Sequence, residues 1–326
     1  MKPPTTLRRR LLGAALLLPL PAFAQSGAGY PSRPIRIVVP YPPAGGPDII
    51  ARMLATEFEK GLGATVVENR PGASGMTGAD QVAKAPPDGH TLLVTTTATH
   101  SINPALYPNV PYDPGRDFTP IARVANTPTV LVVAKDVPAA TLSDLIAYAK
   151  KNPGKLSYAT PGSGTMPHIT GELLRQEAGI DVLHVPYKGT AQIVPDLLAG
   201  RVSMMFNSPA AVMQFVDQGN LKAIALTSRE RLGNRPTLPT MAEAGMPNFE
   251  ASAWYAVYGP PGMPREVVAR LNAEIRRIVA LPAVQQRLET MGMQPAASTP
   301  DELAQVQQRD LQKWGSLIKA RKIVAE

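Results

Sequence analysis

The 326-residue chain contains no cysteine, which excludes a disulfide framework, a thiolate metal site and a cysteine nucleophile. Its histidines number four, and His90 and His100 have neither an acidic nor a histidine partner at metal-ligand spacing, so no metal is expected. Aromatic residues make up 5% of the chain, with two tryptophans, a composition that disfavours an aromatic cage around a cation. There is no block of five or more basic residues to serve as a nucleic-acid-binding tail. No apolar run reaches the roughly 20 residues that cross a bilayer as a helix. No internal repeat indicates a solenoid.

What is present begins at the first residues. Arg8-Arg9-Arg10 precede an apolar stretch over 11–20, and Ala22-Phe23-Ala24 stand before Gln25. A charged start, a short apolar centre and a small-x-small site describe a secretory signal peptide over residues 1–24. An uncleaved membrane anchor is the alternative, and the arginines suit either the general or the twin-arginine export route. Lys2 and the three arginines lie in this leader with no acid, so the formal net charge of +8 falls to about +4 in the mature chain. Half of the basicity thus belongs to export, and no nucleic acid is implied as a partner.

About 300 mature residues suffice for a packed core and usually divide into two domains. Most of the 35 prolines stand singly at the edges of apolar segments, as Pro40, Pro128 and Pro260 do, and punctuate short loops. Short β-branched runs alternate with helical patterns, the signature of an α/β fold on largely parallel sheets. Strands are expected at 35–39, 65–67, 91–95, 130–133, 156–159, 182–186, 202–206 and 223–227. Helices are expected at 48–60, 75–84, 142–151 with Thr141 as cap, 165–178 and 191–199, followed by a helical tail from 265 to 322. The chain makes one α/β unit, then a second, and returns to the first, with crossings near 126–130 and 253–260. Domain 1 is expected over 25–126 plus 254–326, and domain 2 over 127–253, with a cleft and hinge between them.

In open α/β sheets ligands bind where strands lead into helices. Three loops qualify, at 41–47, 161–165 and 187–190, each with glycine beside a helix start whose backbone N–H groups favour an anion. Each is otherwise a tight turn in which glycine merely permits the backbone angles. None has the spacing of a dinucleotide fingerprint or the lysine and hydroxyl of a phosphate-binding P-loop, so no nucleotide cofactor is expected. Asp48 either caps its helix or points at a ligand. His168 either donates to an anion or anchors its loop, and His184 fits a satisfied, partly buried residue. Ser74 and Ser163 adjoin glycine without forming a Gly-x-Ser-x-Gly elbow, so no catalytic residue is assigned.

Arg33-Pro34-Ile35, Glu68-Asn69-Arg70-Pro71-Gly72-Ala73, Pro87-Asp88-Gly89-His90-Thr91-Leu92 and Tyr112-Asp113-Pro114 are similar to motifs of one family. So are His184-Val185-Pro186-Tyr187-Lys188-Gly189, Pro239-Thr240-Met241-Ala242-Glu243-Ala244-Gly245 and Trp254. Over essentially the whole mature chain the sequence resembles the Bug-type receptors, extracytoplasmic substrate-binding proteins of tripartite tricarboxylate transporters. The resemblance implies a two-domain periplasmic-binding-protein (venus flytrap) fold of type II. It also implies a periplasmic, non-enzymatic role in which a small organic acid is bound and delivered to membrane permease subunits; a monomer is the simplest state for a receptor that closes. Carried over by position, it implies contacts from Tyr41, Ala44, Gly45, Gly46, Asp48, Thr96 and Thr97 in the first domain. From the second it implies Gly162, Ser163, Gly164, Thr165, His168, Tyr187, Gly189, Thr190 and Asn207. The glycine pair of the first loop is displaced by one, with Ala44 at its first position and Pro47 before Asp48. A receptor of the same fold serving a membrane sensor, and a secreted hydrolase, are the rival functions.

Overall fold

The computed structural model describes residues 29–325; the expected signal peptide, residues 1–24, lies outside the described residues. The first apolar runs become β1 (Ile35–Val39), α1 (Gly46–Gly61), β2 (Thr65–Asn69), α2 (Met76–Ala83) and β3 (Thr91–Thr96), with β1 parallel to and between β2 and β3. β1 and β3 are buried almost throughout, as strands covered on both faces must be. Ile35, Ile37, Leu92 and Val94 share one core with Ile50, Leu54 and Phe58 of α1, the 3.6-residue spacing of the latter turning them to the sheet.

A π-helical turn at Ala98–Ile102 leads into α3 (Asn103–Leu106) and the long β4 (Thr119–Thr127). After Pro128 and Thr129 the chain enters a second sheet. It is built from β5 (Val130–Ala134), α4 (Leu142–Lys151), β6 (Ser157–Thr160), α5 (Met166–Ala178), β7 (Leu183–Pro186), α6 (Ile193–Leu198), β8 (Met204–Asn207), α7 (Pro209–Asp217) and β9 (Leu221–Leu226). Helix α4 starts at a capping box in which Thr141 and Asp144 satisfy each other's backbone N–H groups. The chain then returns through β10 (Ala253–Gly259) and ends in α8 (Arg265–Val279), α9 (Pro282–Thr290), β11 (Gln294–Pro295) and α10 (Pro300–Arg321).

The strand orders are β11-β4-β10-β3-β1-β2 and β7-β6-β8-β5-β9. Apart from edge strand β11, the sheets are built alike: three parallel strands, then one antiparallel strand that has come from the other sheet. That strand is β10 in the first and β5 in the second. The first connection is tied to the end of β9, where the Thr129 N–H donates to Thr227 Oγ1 at 2.9 Å and the Thr227 N–H to the Thr129 carbonyl at 2.9 Å, and the returning chain joins it there, the Ala251 N–H donating to the Thr227 carbonyl at 3.0 Å.

Three features differ from the sequence pattern. Pro120, Arg123 and Asn126 interrupt the apolar run of β4, so local propensity does not mark it; antiparallel pairing with β10 along its length holds it as a strand. Helix α7 lies in a stretch for which the pattern gives no element. The tail is not one helical run: Pro282 and Pro300 start new helices, β11 intervenes, and α10 then bridges two cores. Its Leu303 packs with Trp254 and Tyr258, whereas Trp314, Leu317 and Ile318 join the core of the second sheet. There Arg321 and Arg175 hold Glu172 at 2.6 and 2.7 Å.

His100 is fully buried, stacked on Tyr258 with ring centres 4.2 Å apart and 4.6 Å from Phe118. Burial pushes its pKa from 6.5 down to about 3. A base depressed by folding contributes stability that is complete above pH 6.5 and is lost as pH falls towards 3, reaching a loss of about 3 kcal/mol at pH 4. Urea unfolding at several pH values is expected to show this decline, and His100→Leu is expected to flatten it. An unchanged slope in the variant would remove His100 as the cause.

Candidate functional site

The loop after β1 is organised by Asp48, the third residue of α1, which is 3% exposed. Its Oδ2 accepts from the Ala44 N–H at 2.9 Å and from Arg52 Nε at 3.0 Å. Its Oδ1 accepts from Asn69 Nδ2 at 2.9 Å, an amide that also donates to the Tyr41 carbonyl at 3.2 Å. Burial raises the pKa of the carboxyl, but the hydrogen bonds from Arg52, Ala44 and Asn69 outweigh it and hold the group below its ordinary value. Asp48 is not the cap of its helix, since the N-cap is Gly45 and no side chain caps it; its carboxylate tethers the loop instead. The Ala44 backbone stands at φ 65°, left-handed for a non-glycine residue, and the bond to Asp48 stabilises that turn. Gly46 has to be glycine: a Cβ there would lie 2.5 Å from Tyr255 Oη.

Tyr41 Oη shares a hydrogen bond of 2.9 Å with Thr96 Oγ1 at the end of β3, and a second with Thr99 Oγ1. Burial raises the phenol pKa, and it is neutral in this setting. Thr97 uses its hydroxyl to accept from the Trp254 N–H at 2.8 Å, fastening β3 to the returning strand.

The second sheet repeats the arrangement. Gly162 and Gly164 adopt φ of 143° and 74° after β6, and Thr165, which precedes α5, donates its hydroxyl to the Gly162 carbonyl at 2.7 Å. The Gly164 N–H donates to His168 Nδ1 at 2.9 Å. His168, 7% exposed, stacks on His184 at 3.9 Å with ring planes 7° apart, and His184 in turn stacks on Tyr158. His184 Nε2 shares a hydrogen bond of 2.7 Å with Thr160 Oγ1. His168 therefore anchors its loop through Nδ1, and His184 is a satisfied, partly buried residue.

The 187–190 loop lies beside it. Tyr187 N–H donates to the Thr160 carbonyl at 2.9 Å and Gly189 N–H to that of Pro161 at 3.2 Å, while Tyr187 Oη donates to Asp196 at 2.7 Å. Thr190 opens a short 3-10 turn. At the end of β8, Asn207 Oδ1 accepts from the Ser208 N–H at 2.8 Å, and its buried Nδ2 has no acceptor.

All sixteen residues named from sequence thus sit at the carboxyl ends of β1 and β3 in one sheet and of β6, β7 and β8 in the other, or in the turns that follow. The 161–165 loop reaches the first lobe at α3: a Cβ on Gly164 would lie 2.5 Å from Leu106 Cδ2. Sequence reasoning passed over Asn69, Thr99 and Tyr255, which shape the first loop from a distance. Asn69 alone carries a signal, since it lies in the Glu68-to-Ala73 motif. Among the described residues no group of three or more acidic or histidine side chains is placed to hold a metal, and no helix is long and apolar enough to cross a membrane.

Two similarly built α/β sheets joined by two crossings, each with loops at the carboxyl ends of its parallel strands, make the two-domain venus-flytrap fold of type II periplasmic binding proteins. The sequence profile described as "tripartite tricarboxylate transporter family receptor" matches residues 50–323, and the chain belongs to that family. It is 42% identical over 314 residues to a UPF0065 protein encoded in the tcbD-tcbE intergenic region of Pseudomonas sp. (strain P51), covering 95% of this chain and 93% of that one. Among solved structures, R. palustris Rpa4515 with adipate is 32% identical with a TM-score of 0.74, covering 91% of this chain and 99% of its own. MatC from Rhodopseudomonas palustris, with bound malate, is 33% identical with a TM-score of 0.69, covering 89% and 100%.

Proposed function

We propose that the protein is a periplasmic receptor that holds a small organic acid between its two lobes, closes on it and presents it as a monomer to membrane permease subunits. It performs no catalysis and needs no cofactor. The lobes are residues 25–126 plus 254–326 and residues 127–253, with α10 strapped across both and the crossings at 126–130 and 253–260 as the hinge. Residues 1–24 are the export leader.

The observation that carries the ligand class is what the site leaves over. Asp48, Tyr41, Thr97, Thr165, His168 and Tyr187 already spend their side chains on the loops. What remains for a ligand includes the Asn207 amide donor, buried without an acceptor, the Thr190 hydroxyl, and the backbone N–H groups that flank Pro47 and Pro167 at the starts of α1 and α5. A remainder made of donors selects an acceptor-rich ligand, and oriented amides stabilise a carboxylate without an arginine clamp. Adipate and malate, held by the two related structures, are both dicarboxylates, which supports the same class here.

Thermal unfolding tests this. Mature protein, unfolded and refolded to strip carried-over ligand, is expected to gain about 2.7 kcal/mol, several degrees in midpoint, from a cognate acid at a hundredfold excess over Kd. No shift across a panel of C4 to C6 dicarboxylates, citrate and aromatic acids would contradict the reading.

A further inference from the structure

Helix α10 is a third link between the lobes, beside the two crossings. Its first half belongs to the first lobe. Leu303 packs with Trp254 and Tyr258, Gln307 accepts from Tyr258 Oη at 2.8 Å and donates to the Pro114 carbonyl at 2.7 Å, and Asp310 accepts from Trp254 Nε1 at 2.8 Å. From Trp314 onwards the helix belongs to the second lobe. Trp314, Leu317 and Ile318 enter that core, and Arg321 holds Glu172 at 2.6 Å. The two sets of anchors meet on successive turns, so lobes that move relative to each other pull the two halves apart in direction. A helix fixed at both ends must then resist the motion or bend.

At that boundary stands Gly315, the only glycine of α10. Neither its backbone nor its surroundings require glycine. Its φ is not positive, and a Cβ would meet only Ala105 of α3, at an ordinary 3.8 Å. Alanine is the better helix former at such a position, because glycine loses more backbone entropy on folding. Glycine therefore weakens α10 where it passes from one lobe to the other. Ser316 follows it, and Gly-Ser pairs are among the few sequences at which helices kink. The exposed Ser316 hydroxyl can take the Gln312 carbonyl that a bend releases.

We propose that α10 yields at Gly315 when the lobes close, so that this residue sets the balance between open and closed forms without itself being a ligand contact. The inference rests on the closing receptor described above. A closed form that bends α10 is reached more easily with glycine than with alanine, and apparent affinity follows the population of the form that binds.

The chain has no cysteine, so spin labels on Val66→Cys and Leu183→Cys report the lobe separation alone. Both residues are exposed, on β2 and β7, the edge strands away from the crossings. Pulsed electron resonance on full-length mature protein gives the distance distribution, ligand-free and with malate or adipate. Gly315→Ala is expected to resist urea better, its folding equilibrium favoured by about fivefold, yet to populate the shorter, closed distance about fivefold less and to bind the acid about fivefold more weakly. Gly315→Ala combined with Ala304→Gly, which moves the glycine to an exposed site in the first-lobe half, should recover the parent's stability but not its closure. A Gly315→Ala protein whose distances match the parent's would overturn the proposal. So would one that unfolds more easily, which would mean that glycine is kept for packing against Ala105, or a parent whose distances stay single and narrow in every condition. Failure of both acids to bind leaves the ligand-free distances to decide and counts against the ligand class alone.

Discussion

Asp48→Ala is expected to weaken carboxylate binding by at least about tenfold and to lower folding stability by about 3 kcal/mol. Removal of the carboxylate leaves the Ala44 N–H and the Asn69 amide without their acceptor in a buried setting, and Arg52 without its partner. Breaking one side of a buried, charge-assisted network costs about 3–5 kcal/mol; Arg52 is half exposed and recovers part of this by hydration. The affinity loss follows from geometry. Ala44 holds a left-handed backbone at φ 65°, and without its tether the turn relaxes and the N–H groups at the start of α1 lose their aim. Urea unfolding and titration calorimetry of the variant separate the two effects. Asp48→Ala protein that binds as tightly as the parent would show that the loop needs no tether.

The second large effect is at Gly164. Alanine there is expected to lower ligand affinity by about thirtyfold, roughly 2 kcal/mol, with little loss of fold. Its Cβ would fall 2.5 Å from Leu106 Cδ2 at a residue with φ 74°. The second-lobe loop must then stand off from α3, so that lobe closure is incomplete. Two comparisons isolate the contact from the strain. Gly179→Ala and Gly219→Ala also place a side chain at positive φ, but with nothing within 4 Å of the new carbon; they should leave binding unchanged. Leu106→Ala combined with Gly164→Ala should restore most of the affinity, the coupling expected of residues in contact. Failure of that rescue would mean that the loss comes from loop strain alone.

The parts of the fold legible in the sequence are those whose cause is local. The β-branched runs of β1, β3 and β5, the capping residue Thr141 and the glycines at loop-helix junctions declare themselves within a few positions. β4 does not, because Pro120, Arg123 and Asn126 weaken its own propensity and its pairing with β10 spans more than a hundred residues of chain. The same division holds in the site. The positions of the loops follow from strand-helix junctions, whereas the roles of their side chains depend on distant partners. Thr97 meets the Trp254 N–H 157 residues away, and Asp48 meets Asn69 at 21. His168 was ambiguous for a different reason. Its acceptor role rests on a bond only four residues back to Gly164, but choosing it over ligand contact requires seeing the stack on His184. In the first loop, Ala44 takes a left-handed backbone that the carboxylate of Asp48, four residues on, holds in place.

An acceptor-rich acid should draw donors from both lobes, the Asn207 amide among them. The direct measurement is titration calorimetry of ligand-stripped protein with malate, adipate and the other C4 to C6 dicarboxylates, run in parallel on the parent and on Asn207→Ala. One acid should bind the parent with a stoichiometry of one, and loss of the Asn207 amide should weaken it by about tenfold. A parent that binds none of these acids, or an Asn207→Ala variant that binds as tightly as the parent, would contradict the account.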